Sequence, residues 1–231
     1  GQTRLRPTVG GLVSGVSGFL RYLETAPGRK VDHLWIGWPG GTAGPAARAR
    51  FRRTAVRERS CVPVFLSARE QERFYDGFSN RTLWPLFHYF PSLAAVDKRG
   101  WEAYRGVNER FADTVASVLR PGDVIWVHDY HLMLVPKMLR ERAPGTPIAF
   151  FLHVPFPAFE VFRVIPHDWG SALIEGVLGA DVAGFHTYDY ARHFLRAAER
   201  LLGLGHRHGE VALPDRPVRV EAFPIGVDFP F

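Results

Sequence analysis

The chain has 231 residues, of which 46% are hydrophobic and 13% aromatic, enough for one large domain with a substantial buried core. The net charge of +6 comes mainly from arginines, which suit a phosphorylated ligand but are scattered along predicted helices, so we expect a solvated basic face and no nucleic-acid partner. A single cysteine, Cys61, excludes an internal disulfide, and no apolar run reaches about eighteen residues, so we expect a cytoplasmic protein with no membrane partner.

Predicted helices and strands alternate along the chain. Apolar periodicity predicts helices at about 12–23, 46–59, 101–118, 129–142, 169–178 and 189–202, and strands at 33–38, 61–66, 123–127, 147–152, 180–185 and 218–223. The segment 74–85 shows neither period and is predicted to be an ordered, aromatic-rich loop. This alternation predicts an α/β fold with a doubly wound parallel sheet of six or seven strands between helices.

Three of the predicted strands end in polar side chains. The strand at 123–127 is followed by His128 and Asp129, the strand at 147–152 by His153, and the strand at 180–185 by His186. Ligands bind at the carboxyl ends of strands in open α/β sheets, so Asp129, His153 and His186 are predicted to line a cleft. The alternative, in which Asp129 caps the following helix and the histidines are satisfied locally, stays open at this point.

The same histidines raise a second alternative, a metal site. Its ligands would be His128, His131, His153 and His186. The spacing of the first two is loose, however, and metal sites usually include carboxylate or thiolate partners at tighter spacing. We therefore expect no metal ion and no cofactor.

Ten short motifs stand out along the chain. They are Val9–Leu12, Gly37-Trp38, Tyr75, Ser79-Asn80, Leu83–Pro85, Phe87–Tyr89, Val127–Leu132, Phe151–Pro157, Gly184–Tyr190 and Phe223–Asp228. In this order they resemble the trehalose-6-phosphate synthase family of glycosyltransferases, over nearly the whole chain from about Arg6 to Asp228. One motif alone would be a weak signal, but many in the right order make the resemblance specific.

The resemblance implies a GT-B glycosyltransferase, in which two Rossmann-like domains face each other across a cleft. Residues 1–231 would be the amino-terminal, acceptor-side domain, and the first strand and the carboxy-terminal donor domain of the parent protein would lie outside this chain. The implied partners are glucose 6-phosphate as acceptor and UDP-glucose, or a related GDP or ADP sugar, as donor. Glucose would be transferred with retention to give trehalose 6-phosphate, and the chain alone is expected to be inactive.

The resemblance also implies roles for single residues. It implies that Trp38, Tyr75, Trp84 and Asp129 bind the acceptor, that Gly11 and His153 bind the donor, and that Asp129 and His153 are the catalytic residues. A phenol hydroxyl and an indole N–H suit a phosphate, a carboxylate accepts sugar hydroxyls, and a glycine lets a backbone N–H approach a diphosphate. From the residues alone, the aromatic side chains are also consistent with core packing, and Gly11 with a tight turn.

Two other functions remain open. One is a sister enzyme of the same fold with another acceptor, such as a glucosylglycerol-phosphate synthase acting on glycerol 3-phosphate or a pseudo-sugar coupling enzyme. The other is a non-catalytic module that binds a sugar phosphate. The presence of Trp38, Tyr75, Trp84 and Asp129 together favours a six-carbon phosphorylated acceptor over a three-carbon one.

Overall fold

A computed structural model describes residues 11–25, 31–41 and 44–226 of the chain. The chain forms two compact units. The first comprises the described residues up to Phe65 together with Ile225 and Gly226, and the second is Leu66–Pro224. The candidate residues Gly11 and Trp38 belong to the first unit, whereas Tyr75, Trp84, Asp129 and His153 belong to the second.

The first unit is a small α/β element with a two-stranded parallel sheet. Its elements are α1 (Gly11–Glu24), β1 (Trp35–Gly37), α2 (Pro45–Arg59) and β2 (Cys61–Pro63). In the ladder Trp35 pairs with Cys61 and Gly37 with Pro63. Helix α2 ends at Arg59, and the next residue, Ser60, caps it in a left-handed conformation with a φ of 46° before β2 begins. Cys61 is half-buried, and this burial raises the pKa of its thiol.

The second unit contains most of the secondary structure. It begins with α3 (Ala68–Glu70), a π-helix (Gln71–Leu83), α4 (Trp84–Phe87) and α5 (Lys98–Ala116), and continues with β3 (Ile125–His128), a 3-10 turn (Tyr130–Leu132), α6 (Val135–Arg142), β4 (Ile148–Leu152), α7 (Phe159–Phe162), α8 (His167–Val177), β5 (Val182–Phe185), α9 (Tyr188–Leu202), β6 (His206–Arg207), β7 (Glu210–Ala212) and β8 (Pro217–Ala222). A further 3-10 turn spans Pro91–Leu93.

The strands of this unit form one mixed sheet in the order β3-β4-β5-β8-β7-β6. The first four strands are parallel, as the alternation of strands and helices predicted, but the prediction of six or seven parallel strands in one sheet is wrong for the described residues, because the last two strands of this sheet pair antiparallel. Strands β7 and β6 extend this ladder in antiparallel pairing. This hairpin was not predicted, because strands of two and three residues are too short to show an apolar period.

A cluster of buried phenylalanines holds the carboxyl side of this sheet. The ring of Phe156, just after β4, lies 5.5 Å from Phe87, 5.0 Å from Phe162 and 5.4 Å from Phe194, measured between centroids. All four rings are fully buried. Each such side chain contributes about 1.5–3 kcal/mol by leaving water, so the segment after β4 is anchored beside His153.

The prediction of a loop at 74–85 is wrong. Residues 71–83 form a π-helix that continues into α4. The backbone N–H of Trp84 donates to the carbonyl of Ser79, five residues earlier, and Phe74, Phe78 and Leu83 are buried. A π-helix has more residues per turn than an α-helix, so its apolar positions fall out of the 3.6-residue period that sequence analysis searches for.

None of the helices within the described residues is long and apolar enough to cross a membrane.

Candidate functional site

The carboxyl ends of β3, β4 and β5 lie side by side in the second unit. Register places His128 opposite Phe151, and Phe151 opposite Gly184. His153 and His186 each follow within two residues of these paired positions, and their ring centroids are 5.8 Å apart. The prediction that Asp129, His153 and His186 share the carboxyl edge of the sheet is therefore confirmed.

Asp129 lies at the turn after β3 with an unusual backbone. Its φ is 71°, a value that residues other than glycine rarely adopt. Residues with such strained backbone angles cluster at functional sites. The Asp129 backbone N–H donates to the carbonyl of Phe151 at 2.8 Å, and its Oδ1 accepts from the backbone N–H of His153 at 3.3 Å. The side chain makes no capping hydrogen bond to the 3-10 turn, so the helix-capping alternative is wrong.

The same turn interrupts the predicted helix at 129–142. The regular α-helix begins only at Val135, after the 3-10 turn at Tyr130–Leu132. The carboxylate of Asp129 is therefore held at the sheet edge instead of at a helix start. Burial raises its pKa to about 6. A carboxylate whose pKa is raised by burial is poorly hydrated, so it is available to accept hydrogen bonds from ligand hydroxyls.

Two histidines meet directly at this edge. Nδ1 of His128 lies 3.0 Å from Nε2 of His153, a hydrogen-bond distance. Burial lowers the pKa of both residues to about 4, so both rings are neutral near pH 7. Neutral imidazoles donate or accept single hydrogen bonds and add no positive charge.

The ring of Phe151 contacts the rings of both His153 and His186. Its ring centroid is 4.7 Å from that of His153 and 5.1 Å from that of His186. This position depends on Gly184, because a Cβ there would lie only 2.7 Å from the Phe151 ring. The glycine in β5 thus leaves room for the Phe151 ring against the two histidines.

The predicted phosphate-binding aromatics Tyr75 and Trp84 each stack on a histidine. Tyr75 stacks on His131 with 5.3 Å between centroids and 12° between ring planes. Trp84, 42% exposed, stacks on His88 with 4.1 Å between centroids. Since Nδ1 of His88 lies 2.7 Å from the carbonyl of Trp84, this nitrogen must carry the hydrogen and donate. These two aromatics are therefore not simple core residues.

Both stacked pairs are linked to Asp129. His131 belongs to the 3-10 turn that Asp129 begins. His88 interacts with the carboxylate of Asp129 electrostatically, in the direction that lowers the pKa of Asp129. The structure thus gathers Tyr75, Trp84 and Asp129 into one group through His131 and His88.

Two buried side chains of α5, which sequence analysis did not single out as functional, support this turn. The hydroxyl of Tyr104 donates to the carbonyl of Tyr130 at 2.8 Å and accepts from the N–H of Met133 at 3.1 Å. The amide of Asn108 donates to the carbonyl of His131 at 3.0 Å and accepts from the N–H of Leu134 at 3.2 Å. The sequence contains a signal that could have identified them, because both polar groups fall on the buried face of a long amphipathic helix and buried polar groups need hydrogen-bond partners.

The remaining candidates lie in the first unit. Trp38 directly follows β1 and is half-buried. Gly11 is the first residue of α1, a position compatible with the backbone N–H that the resemblance implies for it. Their roles stay predictions.

The second alternative was a metal site. Among the residues that the structure describes, no group of three or more His, Cys, Asp or Glu side chains is arranged to hold a metal ion. His128 and His153 instead satisfy each other by hydrogen bonding.

Comparison with known proteins shows to which protein family the chain belongs. The family model of glycosyltransferase family 20 matches residues 2–231. The chain belongs to this family. The resemblance to trehalose-6-phosphate synthases is confirmed by a bifunctional trehalose-6-phosphate synthase/phosphatase of Thermoproteus tenax, 44% identical over 97% of this chain and 30% of its own length.

Solved structures of similar proteins confirm the fold of this family 20 chain. A UDP-forming α,α-trehalose-phosphate synthase from Burkholderia xenovorans, in complex with glucose-6-phosphate, has a TM-score of 0.79 and 32% identity over 96% of this chain and 47% of that one. An E. coli chain bound with UDP-2-fluoro glucose has a TM-score of 0.80 and 31% identity over 98% and 48%. The Rossmann-like α/β fold of the amino-terminal half of a GT-B enzyme is thus confirmed. The chain spans about a third to a half of the length of these relatives.

Proposed function

We propose that this chain is the acceptor-side part of a retaining glycosyltransferase that transfers glucose from UDP-glucose to glucose 6-phosphate. The product would be α,α-trehalose 6-phosphate. The observation that carries the proposal is the grouping of Tyr75, Trp84 and Asp129 around the end of β3 in a member of glycosyltransferase family 20. Relatives named as UDP-forming synthases, and one with glucose-6-phosphate bound, support the choice of donor and acceptor.

The acceptor phosphate would be bound by Tyr75 and Trp84. The rings are held by stacking on His131 and His88, so their O–H and N–H donors keep a fixed direction. Rigid donors lose little entropy on binding, and their rings also cover the sugar. Trp38 would add a further wall for the sugar, as the family resemblance implies.

Asp129 would select the sugar. Its carboxylate is half-buried and, above about pH 6, charged, so it gains most from a ligand that supplies two hydroxyl donors. A three-carbon acceptor such as glycerol 3-phosphate offers fewer hydroxyls in the required positions. A ligand that leaves a buried carboxylate unpaired is rejected strongly, which favours glucose 6-phosphate.

The donor would be held by His153 and by the backbone N–H of Gly11. A neutral His153 would exchange one hydrogen bond with a hydroxyl of the donor glucose, and the family resemblance implies that the Gly11 amide binds the diphosphate, since a helix N-terminus favours an anion. No side chain is required as a nucleophile. The leaving diphosphate would take the proton of the acceptor hydroxyl on the face from which it departs, so retention follows from positioning and charge stabilisation.

The remaining part of the reaction requires a donor domain in addition to these residues. We infer that residues 1–231 act with a carboxy-terminal domain of the parent protein that binds most of the nucleotide sugar. The difference in length between this chain and its relatives supports that arrangement.

The test is a transfer assay on the full-length protein that carries this chain. UDP-, GDP- and ADP-glucose would each be offered with glucose 6-phosphate and with glycerol 3-phosphate, and products identified by mass spectrometry and NMR. Trehalose 6-phosphate from UDP-glucose with an α,α linkage is the expected product. A product formed only from glycerol 3-phosphate, or sugar-phosphate binding without transfer, would contradict the proposal and select one of the two other functions.

A further inference from the structure

The hydrogen bond between His128 and His153 restricts how His153 can act. It joins Nδ1 of His128 to Nε2 of His153 across the neighbouring strands β3 and β4. A hydrogen bond between two neutral imidazoles contains one hydrogen, supplied by either ring. In both cases Nε2 of His153 is occupied, and Nδ1 is the ring nitrogen that remains for a ligand.

The surroundings keep this arrangement in place. The ring of His153 is flanked by Phe151 at 4.7 Å and by His186 at 5.8 Å in an edge-to-face arrangement. These contacts limit the tilt of the ring. The hydrogen bond with His128 engages Nε2 of His153 and therefore sets the rotation of the ring about its bond to Cβ. Burial keeps both histidines neutral, so a second hydrogen does not enter the contact near pH 7.

We propose that His128 is a positioning residue of the transfer reaction: it fixes the rotation of the His153 ring, so that Nδ1 of His153 meets the donor sugar. His128 itself does not touch the substrate. The inference rests on the proposed function in one respect, the contact between His153 and the donor.

Substitutions at His128 separate this role from packing. Asparagine places an amide atom close to where Nδ1 of histidine lies, whereas glutamine reaches to the position of Nε2. His128→Asn therefore retains a partner for His153, and His128→Gln and His128→Leu do not. Gln is the matched control for Asn, because both are neutral amides that differ in where the polar atoms lie.

The first readout is kinetic, on the full-length protein. For His128→Leu and His128→Gln we expect kcat/KM for the nucleotide sugar to fall about tenfold, the usual loss for one hydrogen bond, with the KM for glucose 6-phosphate unchanged. His128→Asn should recover most of the activity. Equal losses in Asn and Gln variants, or an equal effect on the KM of both substrates, would overturn the positioning role.

The second readout is independent of activity. In protein labelled with ¹⁵N-histidine, the signals of His128 and His153, assigned by comparison with His128→Leu and His153→Gln, should show complementary neutral tautomers in the wild type: of Nδ1 of His128 and Nε2 of His153, one carries the hydrogen and the other does not. A hydrogen on both of these nitrogens in the wild type, or on neither, would overturn the proposal without any variant having to fold. If the wild-type protein transfers no sugar, the proposed function fails, and the tautomer measurement decides the role of His128 by itself.

Discussion

The carboxylate of Asp129 has an unfavourable environment in the folded protein. Burial raises its pKa from 3.8 to about 6, so the native state binds a proton more readily than the unfolded chain does. The contribution of this group to the free energy of unfolding is therefore most favourable below about pH 4. It falls as the pH rises from about 4 to 6 and stays at the reduced level at higher pH. The residue that we expect to select the acceptor thus destabilises the fold at neutral pH.

Asp129→Asn should therefore stabilise the protein and inactivate it. Asparagine keeps an oxygen for the N–H of His153 but carries no charge, so we expect the free energy of unfolding at pH 7 to rise by up to about 3 kcal/mol. Urea unfolding at pH 4 and pH 7 would measure the gain, which should be present only at the higher pH. The fully exposed Asp168→Asn serves as control and should change little. A variant less stable than the wild type at pH 7 would contradict the burial argument.

Tyr75 provides a second prediction at the scale of one residue. Tyr75→Phe keeps the ring that stacks on His131 but removes the hydroxyl that would bind the acceptor phosphate. We expect acceptor binding to weaken by about 1–3 kcal/mol, seen as a higher KM for glucose 6-phosphate in the full-length enzyme, with the KM for the nucleotide sugar unchanged. Tyr22→Phe, which alters a tyrosine that is 71% exposed on α1, is the matched control. Identical acceptor kinetics in wild type and Tyr75→Phe would exclude the assigned contact.

At the scale of elements, the turn that holds Asp129 is supported from two sides. Tyr104 and Asn108 of α5 satisfy its backbone groups by hydrogen bonds. Helix α8 approaches its far end closely, because Gly176 lies against Met133 and Leu134. Both supports therefore act on the backbone of the turn and of the residues that follow it.

Two helical glycines allow the contact of α8 to be tested. A Cβ at Gly176 would lie 2.3 Å from the carbonyl oxygen of Met133, so Gly176→Ala must displace the helix or the turn and should destabilise the protein by about 1–3 kcal/mol. A Cβ at Gly106 of α5 would meet nothing within 4 Å, so Gly106→Ala should instead stabilise by about 0.5–1 kcal/mol. Chemical denaturation of both variants measures whether the free energy of unfolding falls in Gly176→Ala and rises in Gly106→Ala. A Gly176→Ala variant as stable as the wild type would show that α8 is free to move away.

At the scale of the whole molecule, we expect the isolated 231-residue chain to be catalytically silent. Its relatives are two to three times longer, and the proposed reaction needs charge and positioning from a donor domain. Loss of a single preorganised donor costs about 10²–10³ in rate, and loss of positioning up to about 7–11 kcal/mol. The measurement is a sensitive assay for trehalose 6-phosphate with the purified chain, beside a titration with glucose 6-phosphate, for which weak binding is expected. Turnover near that of a complete enzyme would place the whole catalytic apparatus within these residues.

Family, fold class and the location of the candidate cleft followed from the sequence by itself. Buried parallel strands require continuous apolar runs, and their ends fall on one edge whatever the details of packing, so the shared edge of Asp129, His153 and His186 was predictable. Motif order identified the family because each motif is local in the chain. The roles of Gly11 and Trp38 rest on that order alone.

The chemistry of the individual groups was decided only by the tertiary structure. The positive φ of Asp129, the partner of His128 and the stacking of Tyr75 on His131 each depend on residues 20 or more positions apart, or on a turn whose conformation the sheet and α5 impose. The π-helix at 71–83 was missed because its period differs from 3.6 residues. Hydrophobic patterns record which face of an element is buried, whereas hydrogen-bond partners, tautomers and pKa values arise from register and packing between elements, which no local pattern contains.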